Sequence, residues 1–289
     1  MSVTAVIKLM RPHQYVKNFF ILLPLFFAVK ITDVDLLTSA VIAFIAFSFT
    51  ASAIYTLNDY FDIEEDRQHP KKKSRPLASG DISKSQAIVI MVLLGGIGFT
   101  LMSFLSMKAS IVLLAYVVMN IVYSFYLKHV AILDVSIIAI GFVLRLFIGS
   151  AVTSISLSVW IVVMTFLLSL FMALAKRRDD VLIYLDTGKK MRKVIDGYNL
   201  QFLDAAMAIM ASVVIVSYTI YTTSAEVVAR VHSEYLYLTS LFVVLGVLRY
   251  LQVAFVLKDS GSPTKIVLKD RFMQLILFGW VATFAWILY

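Results

Sequence analysis

The sequence predicts an all-α membrane protein with nine transmembrane helices, on three observations. Of its 289 residues 61% are hydrophobic and only 15% charged, against roughly 25% charged in a soluble domain. The mean hydropathy is +0.89. The charges are clumped, which leaves apolar runs long enough to cross a bilayer.

A crossing helix needs about 20 mostly apolar residues. Nine segments qualify, at roughly 17–36, 39–61, 86–106, 110–127, 130–152, 157–176, 200–222, 235–257 and 271–288. The first contains the run from Phe19 to Val29, broken by Pro24. No small-residue cleavage site follows it, so it reads as a first helix rather than a signal peptide. The second ends in the acidic stretch Asn58 to Asp66, and the fourth ends at Lys128. Asp134 stands at the start of the fifth, with Arg145 in its middle. Lys176 and Arg177 close the sixth. Two long connections remain, 62–85 and 177–199, and no separate soluble domain is visible in 1–289.

Basic residues set the orientation. Lys8, Arg11 and Lys17 precede the first helix. Arg67, Lys71, Lys72, Lys73, Arg75 and Lys84 follow the second. Arg177, Arg178, Lys189, Lys190, Arg192 and Lys193 follow the sixth, and Lys258, Lys265 and Lys269 the eighth. The other side holds little beyond Lys30, Lys108 and Arg230. The N-terminus is therefore expected in the cytoplasm and the C-terminus outside. The net charge of +8 reflects basic loops and anionic substrates, not nucleic acid. With no cysteine in the chain, disulfide, zinc-thiolate and thiol chemistry are excluded.

The chemistry concentrates at Asn58-Asp59-Tyr60-Phe61-Asp62-Ile63-Glu64-Glu65-Asp66. On a continuous helix Asn58, Asp62 and Asp66 share one face, with Asp59 on the adjoining stripe. Carboxylates so placed repel one another unless a cation sits among them. Magnesium suits such oxygen ligands and leaves positions for water and phosphate. The alternative is a solvated acidic helix end, but Asn58 and Asp59 follow directly on an apolar run, where ionisable groups are costly. The basic stretch that follows offers Arg67, Lys72 and Arg75 to a metal-bound diphosphate. Lys71 and Lys73 fit lipid headgroups better. His13, His129 and His232 read as interfacial residues.

Asn58 to Asp66 matches the N-D-x-x-D-x-x-x-D signature of the UbiA superfamily of intramembrane prenyltransferases, and the chain resembles that family. The resemblance implies a UbiA-like bundle with a polar chamber on the cytoplasmic side. Arg11-Pro12-His13-Gln14-Tyr15-Val16-Lys17-Asn18 narrows it, being similar to the R-P-x-Q-W-x-K-N opening of decaprenyl-phosphate phosphoribosyltransferases with Tyr15 in place of Trp. Asp66 to Pro76, Tyr123 to His129, Arg145, Lys176-Arg177, and Arg192 with Tyr198 are similar as well. Lys176-Arg177-Arg178-Asp179-Asp180 departs from the second, D-x-x-x-D-like motif of typical prenyltransferases. Such relatives imply magnesium-dependent transfer of 5-phosphoribose from phosphoribosyl diphosphate to a polyprenyl phosphate.

On this reading Asn58, Asp59, Asp62 and Asp66 hold the metal. Lys17, Lys128, Lys176, Arg177, Arg192 and Tyr198 add to Asn58, Arg67, Lys72 and Arg75 as substrate-binding residues. More phosphates call for more cations, although Lys128, Lys176 and Arg177 also fit interfacial snorkelling. Asp134 reads as structural, Asp179 and Asp180 as metal ligands or arginine partners, and Arg145 as an ion-pair or substrate residue. Two other functions fit the chain less well. A prenyltransferase would move an isoprenoid group from a prenyl diphosphate to an aromatic or other small acceptor. A transporter would place broken helices at the midplane, and none is evident.

Overall fold

The computed structural model describes residues 2–68, 72–188, 193–258, 266–267 and 269–288. These are helical almost throughout. They form two compact units, Met1–Phe125 with Gly141–Leu157, and Tyr126–Ile140 with Ser158–Tyr289.

In the first unit, α1 (Val3–Met10) is capped by the Ser2 hydroxyl, which accepts from the Ala5 N–H at 3.2 Å. Arg11, in the left-handed region at φ 55°, ends it. Pro12 then starts a 3-10 helix that runs to Leu22, and α2 (Leu23–Phe27) follows, with Pro24 in its first turn where no N–H is missed. The expected span 17–36 is thus two short helical pieces. Among the described residues eight helices, not nine, are each long and apolar enough to cross a membrane. The expected stretch holds the second half of the 3-10 helix, α2, a turn over 28–33 and the first residues of the next helix, from Val34.

Three residues per turn stack every third side chain. Tyr15 OH meets Ser52 Oγ at 2.9 Å, Asn18 Nδ2 donates to Ser48 Oγ at 2.9 Å, and Ile21 is fully buried. Val16 and Phe19, on the neighbouring edge, are exposed.

Helix α3 (Val34–Phe61) begins at Asp33, whose carboxylate accepts from the Asp35 and Leu36 N–H groups. After it come α4 (Ile63–Gln68), a 3-10 turn (Lys72–Ser74) and α5 (Pro76–Ser79), which Gly80 closes at φ 86°. A Ser83/Gln86 capping box starts α6 (Lys84–Leu105), and α7 (Met107–Phe125) follows. Small residues let α3 and α6 approach closely. A Cβ on Gly98 would collide with Thr50 Oγ1 and lie 2.5 Å from the Ala46 carbonyl oxygen. Val89, Val92 and Leu93 of α6 stay exposed, as lipid-facing residues do.

Helix α8 (Leu133–Thr153) passes from the second unit into the first. Its Arg145 is buried, and among the described residues no carboxylate pairs with it. Instead Nε donates to Asn18 Oδ1 at 2.9 Å and Nη1 to the Gly141 carbonyl at 2.6 Å. The rings of Phe47, Tyr116 and Phe142 lie 4.7, 5.2 and 5.1 Å from the guanidinium. Hydrogen bonds and ring faces thus take the place of the ion pair that is one of the two readings of Arg145 in the sequence.

In the second unit, α9 (Val159–Thr187) is capped by Ser158 and ended by Gly188 at φ 67°. It passes the expected end at 176, because the charges there are paired within the unit instead of standing in a loop. Then come α10 (Leu200–Thr223), α11 (Ala225–Val231), a 3-10 turn (Tyr235–Thr239), α12 (Ser240–Phe255) and α13 (Arg271–Leu288). Phe171, Leu174, Leu203, Met207, Val247 and Tyr250 form the centre of its core.

Candidate active site

The acidic motif straddles a helix break. Asp62 caps the C-terminal end of α3, just past Phe61 (φ −92°, ψ 9°), and α4 starts at Ile63. Backbone bonds carry the turn across: Asp62 N–H donates to the Asn58 carbonyl at 3.0 Å, and Asp66 N–H to the Asp62 carbonyl at 2.8 Å. Asp59 and Asp66 face inward, at 2% and 1% exposure. Asp62 and Asn58 are half-buried.

Three cations converge on the two buried carboxylates. Arg11 Nη2 donates to Asp59 Oδ1. Arg75 Nη1 donates to Asp59 Oδ1 at 2.9 Å and to Asp66 Oδ2 at 2.7 Å, bridging α3 and α4. Lys72 Nζ stands 3.7 Å from Asp66 Oδ1, a buried oxygen that accepts no hydrogen bond. Asn58 Oδ1 accepts from the Ser124 hydroxyl of α7.

The structure therefore brings together Asp59, Asp66, Lys72 and Arg75 of the expected set. Arg67 turns away, with Nη1 on Glu64 at 3.0 Å and Nε on the Ala78 carbonyl at 3.3 Å. Among the described residues no three carboxylate or histidine side chains gather closely enough to hold an ion by themselves. The break at Asp62 and the arginine between the other two carboxylates account for this. Arg11 is the site residue that sequence reasoning missed. Its only signal is its place at the head of the R-P-x-Q-like stretch. Lys17 lies half-buried on the 3-10 helix.

The second unit holds another charged cluster. Arg177, 1% exposed, donates through Nε to Asp134 Oδ2 and through Nη1 to Asp180 Oδ2 at 2.8 Å. Tyr198 OH donates to Asp134 Oδ1 at 2.6 Å and accepts from the Ile132 N–H at 2.7 Å. Burial, then the bond to Asp134, raises the Tyr198 pKa above the ordinary tyrosine value, so the phenol is neutral at physiological pH. Arg178 Nε donates to Asp204, and its Nη1 to the Ala254 carbonyl at 2.6 Å, tying α9 to α10 and α12. Arg177 and Tyr198, expected to touch substrate, are thus engaged with Asp134. Lys176 is exposed and Lys128 half-buried. Arg192 lies outside the described residues, as do His69, Pro70, Lys71, Lys189 and Lys190.

Apolar crossing helices, with an acidic motif and its basic partners at the end of α3, define a membrane-embedded transferase. The chain belongs to the UbiA prenyltransferase family, whose model matches residues 19–277. It is similar to the decaprenyl-phosphate phosphoribosyltransferase of Mycolicibacterium smegmatis, with 31% identity over 97% of this chain and 91% of that one. The protein of the same name from Corynebacterium glutamicum is 30% identical over 95% of this chain and 84% of that one. Among solved structures, a UbiA homolog from Archaeoglobus fulgidus bound to DMAPP and Mg2+ shares the fold. Its TM-score is 0.71 at 19% identity, covering 98% of both chains.

Proposed function

We propose that this protein transfers 5-phosphoribose from phosphoribosyl diphosphate to a polyprenyl phosphate, with magnesium, at the cytoplasmic face of the cell membrane. Its N-terminus would lie in the cytoplasm and its C-terminus outside. The observation that carries this reading is the convergence of Arg11, Lys72 and Arg75 on two buried carboxylates. Such a surplus of cations suits a donor and an acceptor that are both phosphorylated. Likeness to the phosphoribosyltransferases over nearly the whole chain supports the choice of donor.

Asn58, Asp59, Asp62 and Asp66 are the residues that would hold magnesium. They are hard oxygen donors, and Asp66 Oδ1 is buried without a hydrogen bond. When bound, the ion neutralises charge on the departing diphosphate. Arg75, Lys72 and Arg11 bind and orient the diphosphate, and Lys17 takes the 5-phosphate. An oxygen of the acceptor phosphate bonds to the anomeric carbon. The bond from that carbon to the diphosphate oxygen breaks, and diphosphate leaves with the electron pair. The acceptor is already an anion, so no side chain has to remove a proton. The residues align the reactants and exclude water.

Purified protein in detergent, given magnesium, labelled phosphoribosyl diphosphate and a polyprenyl phosphate, should produce a labelled lipid. Isoprenoid diphosphates with aromatic acceptors should give no product. The reverse pattern would replace this reading with prenyl transfer, which likeness to a DMAPP-bound homolog favours as the alternative.

A further inference from the structure

We propose that Arg75 occupies the metal position of the ligand-free protein and yields it only to an ion that arrives with a diphosphate. The inference rests on the magnesium–diphosphate reading above. A single nitrogen, Nη1, lies 2.9 Å from Asp59 Oδ1 and 2.7 Å from Asp66 Oδ2. It fills the gap between carboxylates on two different helices, and a cation entering there meets both its volume and its charge. Asp66 Oδ1, buried and without a hydrogen bond, has only the longer ion pair to Lys72 Nζ at 3.7 Å among the described residues and keeps its lone pairs for a ligand.

Solvent and a ligand can reach Arg75. Its side chain is 27% exposed, and it sits just ahead of the four-residue helix α5. A diphosphate offers its planar fork a second, bidentate partner. The guanidinium can then leave the carboxylates without becoming an unpaired charge, while the ion takes the oxygens it vacates. An ion alone offers Arg75 no such partner. Metal and diphosphate therefore bind as a pair, and the ligand-free site keeps its carboxylates neutralised.

The test uses Mn2+ as the probe, read by its paramagnetic resonance signal, with and without inorganic diphosphate. Wild-type protein should bind Mn2+ at least tenfold more tightly when diphosphate is present. Arg75→Gln should bind Mn2+ alone at least tenfold more tightly than wild type does, and diphosphate should add much less. Equal or weaker Mn2+ binding by Arg75→Gln without diphosphate overturns the exchange and leaves the metal reading standing. If wild type binds no Mn2+ even with diphosphate, both are overturned. Should Arg75→Gln fail to fold, wild type answers alone by thermal melting. Magnesium with diphosphate should raise its Tm, and magnesium alone should not. An equal rise with magnesium alone overturns the exchange.

Discussion

Asp59 and Asp62 belong to one motif, yet their surroundings differ. Asp59 is 2% exposed and accepts from both Arg11 and Arg75, whereas Asp62 is half-buried at the end of α3. Breaking a buried pair from one side costs about 3–5 kcal/mol. Arg11 and Arg75 are partly exposed and re-solvate, so Asp59→Ala should lose about 2 kcal/mol of stability together with turnover. Asp62→Ala should lose turnover and keep its stability, because removing that charge eases repulsion along the motif. Melting in detergent and turnover at saturating magnesium check both variants. Wild-type turnover in Asp62→Ala would sink the assignment of Asp62 to the metal.

At the scale of elements, the second unit shows what holds a loop in place. Tyr198 OH joins Asp134 at the start of α8 to the Ile132 N–H, and Arg177 of α9 closes the same group. Tyr198→Phe strands a buried carboxylate oxygen and an amide, at about 1–3 kcal/mol. Hydrogen exchange should quicken over 126–134, the segment that carries Lys128. The raised Tyr198 pKa fixes the pH dependence. Its stabilising phenol is fully present below the ordinary value near 10 and is lost only as pH climbs through the higher folded value. Stability curves of wild type and Tyr198→Phe should therefore run parallel from pH 6 to 9. An inflection in that range present only in wild type would contradict the assignment.

Most of the crossing helices were legible because apolar length alone specifies them. The stretch over 17–36 was legible as apolar chain but not in its helix type, because a 3-10 helix that stacks Tyr15, Asn18 and Ile21 at a period of three leaves no mark on apolar length. The end of α9 was hidden for another reason. Arg177 and Arg178 look like loop charges until their partners Asp134 and Asp204 are known, and those partners lie far away in sequence. The acidic motif was legible in spacing and position. The ring of cations on it was only half so, since nothing local distinguishes Arg75, which bridges two carboxylates, from Arg67, which turns outward.

For the molecule as a whole, the length of α3 predicts the depth at which the proposed chemistry occurs. Between Asp35 and Asn58 its apolar residues, 36–57, rise ~33 Å at about 1.5 Å each, slightly more than the ~30 Å hydrocarbon core. Standing along the bilayer normal, a helix of that length would bring Asp59 level with the lipid phosphates, where the phosphate of the acceptor proposed above would also rest. Such a match makes turnover sensitive to hydrophobic mismatch. In vesicles of phosphatidylcholine with 18-carbon chains the acidic helix end should meet water and donor freely. With 22-carbon chains the bilayer would draw it below the headgroups, and turnover should fall severalfold at unchanged magnesium and donor. Equal rates in both would mean that depth is set elsewhere. Where the rates differ as expected, a bilayer that thickens or thins acts on this transferase as a rheostat, with no effector bound.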